Sequence, residues 1–183
     1  MKNTFTSLIF FCVLTFQAQI TPVLHHQNIA DYGIYPSSIA YYNGEIYIPD
    51  FNNNRIIKTS ATTLNAPVEV VVSNISFPSG IKVIGDELFF IQSITTANPT
   101  NNSGKLSKID LTQTTPSVVD VLTGLNVPFV LIGSANELFI TEIIGKFSST
   151  DFGDFNFQST SISTINLVGT PFKTTLLQNR DFI

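Results

Sequence analysis

Residues 36–58 read PSSIAYYNGEIYIPDFNNNRIIK and hold the pattern on which the fold prediction rests. A proline opens one apolar stretch, and a second, Glu45-Ile46-Tyr47-Ile48, begins nine residues after that proline. Asn43-Gly44 lies between them, and because both residues tolerate positive φ, the dipeptide favours a type I′ β-hairpin. The segment therefore predicts two antiparallel strands, A and B, followed by a third strand, C, over 55–58.

The same layout recurs twice further along the chain. The opening prolines are Pro36, Pro78 and Pro128, and Glu87-Leu88-Phe89-Phe90 and Glu137-Leu138-Phe139-Ile140 follow the last two at the same offset. Later C stretches cover 105–109 and 161–165, and a fourth stretch, D, follows a proline in each unit, over 68–72, 117–122 and 172–177. Four-stranded units of about 40–50 residues are typical of β-propeller blades. We therefore predict an all-β chain with three propeller blades of antiparallel strands, over 36–77, 78–127 and 128–183.

Composition supports strands and argues against nucleic acid as a partner. Hydrophobic residues make up 43% of the 183 residues and charged residues 12%, and the 16 Phe and 5 Tyr favour strands. The formal net charge is −4, and no run of Lys or Arg stands out. The chain therefore has no electrostatic footprint for nucleic acid or for an anionic membrane surface.

The first 19 residues have the pattern of a signal peptide. Lys2 is their only charge, and 7–16 is an apolar run of ten, too short for a bilayer span of about 20 residues. Cleavage is expected near Ala18, although Phe16 departs from the small-residue rule, and an uncleaved anchor is the alternative. Cys12 is the only cysteine and lies inside this segment. We expect an exported domain over 20–183, in the periplasm, on the cell surface or in the medium, with no disulfide and no membrane span.

The first unit resembles the NHL repeat, whose pattern is P-x-G-I-A-V-D-x-x-G-N-I-Y-V-A-D-x-x-N-N-R-I. Residues 36–56 follow that pattern closely, with Asp50 at its second aspartate. The later units depart from it there, because Gln92 and Glu142 take the place of Asp50. The resemblance implies a propeller, commonly six-bladed in the TolB-like group to which NHL propellers are similar.

One face of the predicted propeller is the candidate binding surface. Strand direction alternates within a blade, so the B-to-C and D-to-A connections share one face. The B-to-C connections lengthen along the chain, over 50–54, 92–104 and 142–160, and loops on a rigid scaffold often carry recognition. We predict that this face binds protein or carbohydrate through Asp50, Asn52, Asn53, Gln92, Asn98 and Glu142. The alternative is plain solvated turns, with Asp50 capping its own turn and Arg55 paired with it.

No catalytic set can be assembled from the sequence. His25 and His26 are the only histidines, and neighbours on a strand point to opposite faces. Asp151 and Asp154 lack the spacing of a Ca²⁺ loop. We therefore predict a binding or scaffold module without a metal or other cofactor. The alternatives are a metal-dependent hydrolase or lactonase of the six-bladed type, which a chelator would inactivate and destabilise, and a structural surface protein without a small ligand.

The strand count leaves the size of the ring open. Thr21-Pro22-Val23-Leu24 resembles the start of a D strand, so the chain is expected to run from an outer strand into three complete ABCD units. A propeller that opens this way normally closes by giving that strand to its last blade, yet 172–177 already supplies one. The chain is then either a piece of a longer propeller or a half-ring that self-associates into six blades. The surplus N-terminal strand is the difficulty for the half-ring.

Overall fold

The computed structural model describes residues 33–34, 36–93, 102–147 and 155–179 of the chain. Twelve strands in these residues form three antiparallel four-stranded sheets, each in chain order. Blade 1 contains β1 (Ala40–Tyr42), β2 (Glu45–Asp50), β3 (Arg55–Ser60) and β4 (Glu69–Ser73), with a short 3-10 helix over Phe51–Asn53. Blade 2 contains β5 (Pro78–Ile84), β6 (Glu87–Gln92), β7 (Gly104–Asp110) and β8 (Val119–Leu125). Blade 3 contains β9 (Pro128–Gly133), β10 (Glu137–Phe147), β11 (Phe155–Asn166) and β12 (Phe172–Asn179).

These three sheets confirm the predicted all-β fold of about three propeller blades. The first hairpin turns as its sequence predicts, because Asn43 and Gly44 have φ of 47° and 84°. The other blades reach the same strand pairing through different turns, with Gly85 at φ 59° in blade 2 and Gly133 at φ 144° in blade 3. Residues 21–24, predicted to be an additional outer strand, lie outside the described residues.

The B-to-C connection of blade 3 corrects one prediction. Residues 142–160 were expected to form a long loop, but β10 continues to Phe147 and β11 already begins at Phe155. The two strands stay paired up to Phe147 and Phe155, across a β-bulge at Ile144 and Gly145. Threonine, isoleucine and phenylalanine favour strand and occur in both β10 and β11. The prediction of a loop did not take this preference into account. Since β9 begins opposite Glu142, the hairpin extends about 15 Å beyond the inner strand at 3.3 Å per residue.

Apolar side chains of alternating orientation hold the blades together. Leu88 and Phe90 on β6 face blade 1 and pack with Tyr47, whereas Phe89 and Ile91 face blade 3. The cluster between blades 1 and 2 contains Tyr47, Ile56, Ile75, Ile81, Leu88, Phe90 and Ile109, and the one between blades 2 and 3 contains Phe89, Ile91, Leu106, Leu125, Leu131, Leu138, Ile140 and Ile165. Period-two alternation therefore gives the middle blade two buried faces.

The inner strands of neighbouring blades approach closely at one repeat position. Ser38 Oγ accepts a hydrogen bond from Ile81 N–H at 3.1 Å and donates one to Ser79 O at 3.2 Å, joining blade 1 to blade 2. Gly80 holds the corresponding place between blades 2 and 3, where an added β-carbon would lie 2.6 Å from Leu131 N. Because that neighbour is backbone, the contact requires glycine. At the other end of the first junction, Tyr42 donates to Asp86 at 2.7 Å, and this hydrogen bond raises the pKa of Tyr42.

Replacing Gly80 by alanine is therefore expected to destabilise the chain by about 1–3 kcal/mol, the usual cost of overfilling a packed core. The added methyl group would force β5 and β9 apart at Leu131. Urea unfolding monitored by circular dichroism measures the change. Ser79→Ala is the matched control, because the buried Ser79 hydroxyl has no hydrogen-bond partner and its removal should leave stability unchanged or higher. Equal stability of G80A and the wild-type chain would contradict the close approach.

Candidate functional site

The connection face is the side of the blades that carries the B-to-C and D-to-A connections. Its described connections are 51–54, 74–77, 102–103 and 126–127. Three of the predicted site residues, Asp50, Gln92 and Glu142, occupy the same repeat position on this side, and their exposed fractions are 0%, 2% and 1%. The sequence therefore brings them to equivalent places, but their side chains are buried in the blades and do not project into solvent.

Asp50 closes the B-to-C turn of blade 1. Arg55 Nε donates to Asp50 Oδ2 at 2.7 Å, so the predicted pairing of these two residues is present. Asn53 Nδ2 donates to both carboxylate oxygens, at 2.9 and 3.0 Å. Asn53 Nδ2 also contacts the carbonyl oxygen of Gly33 in the segment before β1. The carboxylate thus organises both the turn and the chain that enters the blade.

Gln92 plays a corresponding part in blade 2. Its Oε1 accepts the backbone N–H of Ser76 at 2.9 Å, and its Nε2 donates to Ser107 Oγ at 2.7 Å. Ser107 in turn donates to Asp120 on β8 at 2.7 Å, and Lys105 donates to the same carboxylate at 2.9 Å. Burial acts to raise the pKa of Asp120, but the hydrogen bonds from Ser107 and Lys105 and the charge of Lys105 outweigh it and lower that pKa.

Glu142 makes the corresponding hydrogen bonds in blade 3, and its acidic side chain also forms an ion pair. Its Oε1 accepts the backbone N–H of Asn126 at 2.8 Å, and Ser163 Oγ donates to its Oε2 at 2.9 Å. Lys173 on β12 donates to the two oxygens at 2.9 and 3.1 Å. A neutral amide at position 92 therefore accompanies an aspartate on the outer strand, whereas an acid at position 142 accompanies a lysine.

We call Gln92 and Glu142 the clamp residues, because each ties the end of strand B to the D-to-A connection before its blade. The next residue in each blade adds a backbone bond, from Ser93 N–H to Phe77 O at 3.4 Å and from Ile143 N–H to Val127 O at 3.3 Å. Both acceptors stand just before the opening proline with positive φ, 40° for Phe77 and 31° for Val127. This conformation is costly for a bulky or β-branched residue, so the surrounding hydrogen bonds must hold it.

The sequence singled out the clamp positions but not their partners. Ser107, Asp120, Ser163 and Lys173 complete the two clamps, and no spacing rule pointed to them. One signal was available in blade 3, because its outer strand carries Lys173, whose charge complements that of Glu142. Since the polar atoms of the clamp residues already have partners in the protein, their observed role is to position the connections. A ligand-binding role for them remains a prediction.

The exposed part of the connection face consists mainly of amides and aromatic rings. Asn52 and Asn53 are exposed, and Asn98 lies outside the described residues. Asn54, at φ 55°, accepts Phe77 N–H with its Oδ1 at 3.0 Å, which joins two connections. The rings of Phe51 and Phe77 are 5.2 Å apart across the same junction. Phe129, at the start of β9 in blade 3, is also exposed to solvent.

Two searches concern the described residues alone. No group of three or more His, Cys, Asp or Glu side chains among them lies close enough to hold a metal ion. Nor does the described part of the chain contain a helix of sufficient length and apolarity to cross a bilayer.

Comparisons with known proteins identify the fold but not a family. No family profile and no curated protein matches the sequence. A chain in the crystal structure of a nidogen/laminin complex is similar to this one, with a TM-score of 0.56, 17% identity, and coverage of 77% of this chain and 47% of the other. The N-terminal domain of Nup159 matches with a TM-score of 0.33 and 10% identity over 75% of this chain and 47% of that one. The chain therefore spans about half the length of these structures, and its likeness to the first of them shows a β-propeller fold.

Proposed function

We propose that the chain is an exported, NHL-like propeller module of the TolB-like type that binds another protein through its connection face. The observation that carries the proposal is the β10–β11 hairpin, which extends beyond blade 3 on the side where Asn52, Asn53 and Phe129 are exposed. A projecting hairpin on the same side as exposed amides and an exposed aromatic ring supplies both shape and hydrogen bonds. Aromatic residues are enriched at protein interfaces, and amides adapt to backbone groups of a partner.

The comparison supports the same class of function. The similar chain was crystallised in a complex between nidogen and laminin, so a fold of this type occurs in a protein–protein assembly. In our chain the buried clamp residues fix the D-to-A connections, and a fixed binding surface reduces the entropy lost when a partner binds. Binding of a carbohydrate and metal-dependent hydrolysis are the other outcomes that a test has to distinguish.

The test compares two variants with the same added charge on opposite faces. Asn52→Lys/Phe129→Lys alters the connection face, and Thr62→Lys/Gln113→Lys alters exposed turns between strands C and D at the other end of blades 1 and 2. The immobilised chain is exposed to the exported proteins of its source cells, and each captured protein is then purified and titrated. We expect a partner that binds the wild-type chain and the Thr62/Gln113 variant equally well. The same partner should bind the Asn52/Phe129 variant at least about 10-fold more weakly.

Three results would contradict the proposal. They are a partner lost equally from both variants, saturable binding only on a glycan array, and a chelator that abolishes both a hydrolytic activity and part of the thermal stability.

Shortening the hairpin by replacing 146–156 with Asn-Gly then tests the hairpin itself. Gly145 and Phe157 face each other across the strands, and Asn-Gly suits a two-residue turn. Partner binding should fall while the melting temperature stays close to that of the wild-type chain.

A further inference from the structure

Blade 3 has an apolar sheet face that the described part of the chain leaves exposed. Val130 and Ile132 on β9, Ile162 on β11, and Phe172 and Leu177 on β12 are all exposed. Strand register puts them on one face, because Val130 pairs with Thr141, Ile132 with Phe139, and Ile162 with both Thr141 and Leu177. A contiguous patch of this kind on a folded domain marks an interaction surface.

The same face of the other two blades is the one that receives the next blade. In blade 2 it carries Phe89 and Ile91, which pack against blade 3, and in blade 1 it carries Tyr47, which packs against blade 2. Phe139 is the counterpart of Phe89 in the repeat. The exposed face of blade 3 therefore has the chemistry of a blade junction, and its partner should be the opposite face of another blade.

Blade 1 of this chain presents that opposite face. Ile46 and Ile48 are the counterparts of Leu138 and Ile140, which blade 3 packs against blade 2; in blade 1 they pack with Ile34, from the segment before β1. Ile39 is the sharpest indicator, since it is 69% exposed whereas its counterparts Ile81 and Leu131 are 4% and 5% exposed against the preceding blade. The chain thus exposes the apolar face of blade 3 and, on blade 1, the Ile39 side chain that both internal junctions bury, whereas Ile48 and Ile57 of blade 1 already pack with Ile34.

The internal junctions show which residues would meet. Ser38, Gly80 and Val130 share one repeat position, and Ile39, Ile81 and Leu131 share the next. Ser38 bonds to Ile81 N–H, and Gly80 lies against Leu131. The third junction of the series therefore brings Val130 against Ile39. Because valine is larger than serine or glycine, this junction must be wider than the two internal ones.

We propose that two copies of the chain associate head to tail, with blade 3 of each packed against blade 1 of the other. Such a contact uses two different surfaces, so it closes only if the rotation between copies completes a ring. Two copies would contribute six blades to such a ring. The inference concerns the blade edges and is independent of any ligand of the connection face.

Light scattering after gel filtration of the purified chain tests the association. The wild-type chain is expected at twice the mass of one copy, and Ile132→Lys at the mass of one copy with an unchanged circular dichroism spectrum. Leu64→Lys is the matched control and should remain a dimer, since Leu64 is 56% exposed in the turn between β3 and β4, compared with 60% for Ile132. A wild-type chain that is monomeric at every soluble concentration, open polymers of increasing length, or a dimer that survives I132K would each overturn the proposal.

Engineered cysteines distinguish a head-to-tail contact from any other dimer. In a Cys12→Ser background, Ile39→Cys and Val130→Cys are made as separate single variants. A mixture of the two should form interchain disulfides on mild oxidation, because their positions meet across the junction. Each variant oxidised alone should form none. Equal cross-linking of either single variant alone, or no cross-linking of the mixture, would overturn the proposed geometry.

Discussion

Replacing Phe90 by alanine is expected to lower the free energy of unfolding by about 3–5 kcal/mol, the range measured when a fully buried phenylalanine is truncated. Phe90 has no exposed surface and lies in the cluster between blades 1 and 2, together with Leu88 and Tyr47. The sheets on both sides are fixed by strand pairing, so neither can readily move to fill the cavity. Urea denaturation gives the change from the shift in midpoint at constant slope.

Two other substitutions make the Phe90 result specific. Phe90→Leu retains most of the volume and is expected to cost about 1–1.5 kcal/mol. Leu64→Ala removes an apolar side chain from an exposed turn and should stay within about 0.5 kcal/mol of the wild-type chain. A loss for Phe90→Ala no larger than that for Leu64→Ala would mean that blades 1 and 2 are not packed as described.

The second large effect is expected at the clamp of blade 3. Glu142→Ala would leave the N–H of Asn126 and the hydroxyl of Ser163 without their acceptor and would remove the ion-pair partner of Lys173. Breaking a buried pair costs about 3–5 kcal/mol. The Lys173 side chain is 25% exposed and can turn toward water, so we expect a loss of about 2–3 kcal/mol. Thermal and urea unfolding measure it.

Glutamine at position 142 separates hydrogen bonding from charge. Blade 2 already uses Gln92 at this position, with Oε1 on the N–H of Ser76. Glu142→Gln should therefore retain the bond to Asn126 N–H, lose the ion pair, and cost about 1 kcal/mol. If E142Q and E142A lost the same stability, the backbone hydrogen bond would contribute nothing and the clamp would be only an ion pair.

Much of the fold followed from local patterns in the sequence. Along Leu88-Phe89-Phe90-Ile91, alternate side chains pack against blade 1 and blade 3. Asn43-Gly44 has the positive φ values that its turn requires. The opening prolines mark where each inner strand begins in blades 2 and 3. These features could be predicted because each depends on residues only a few positions apart.

The features that escaped prediction depend on distant residues. The burial of Glu142 and its ion pair with Lys173 could not be predicted from its sequence neighbours, because Lys173 is 31 residues away. The stretch 142–160 was taken as a loop because its strand character becomes clear only when β10 and β11 pair. In both cases tertiary contacts decided the environment of a residue whose own type left it open.

The most direct test of the repeated clamp is amide hydrogen exchange at Ser76 and Asn126, followed by NMR. Both amides lie in D-to-A connections, where an unbonded N–H exchanges quickly. In the structure, however, the Ser76 N–H donates to Gln92 at 2.9 Å and the Asn126 N–H donates to Glu142 at 2.8 Å. We predict that both exchange as slowly as the amides of β6 and β10, because breaking these bonds requires separating the blades. Exchange of both at the rate of an unstructured peptide, in a chain whose strands are protected, would contradict the clamp and the blade-to-blade order built on it.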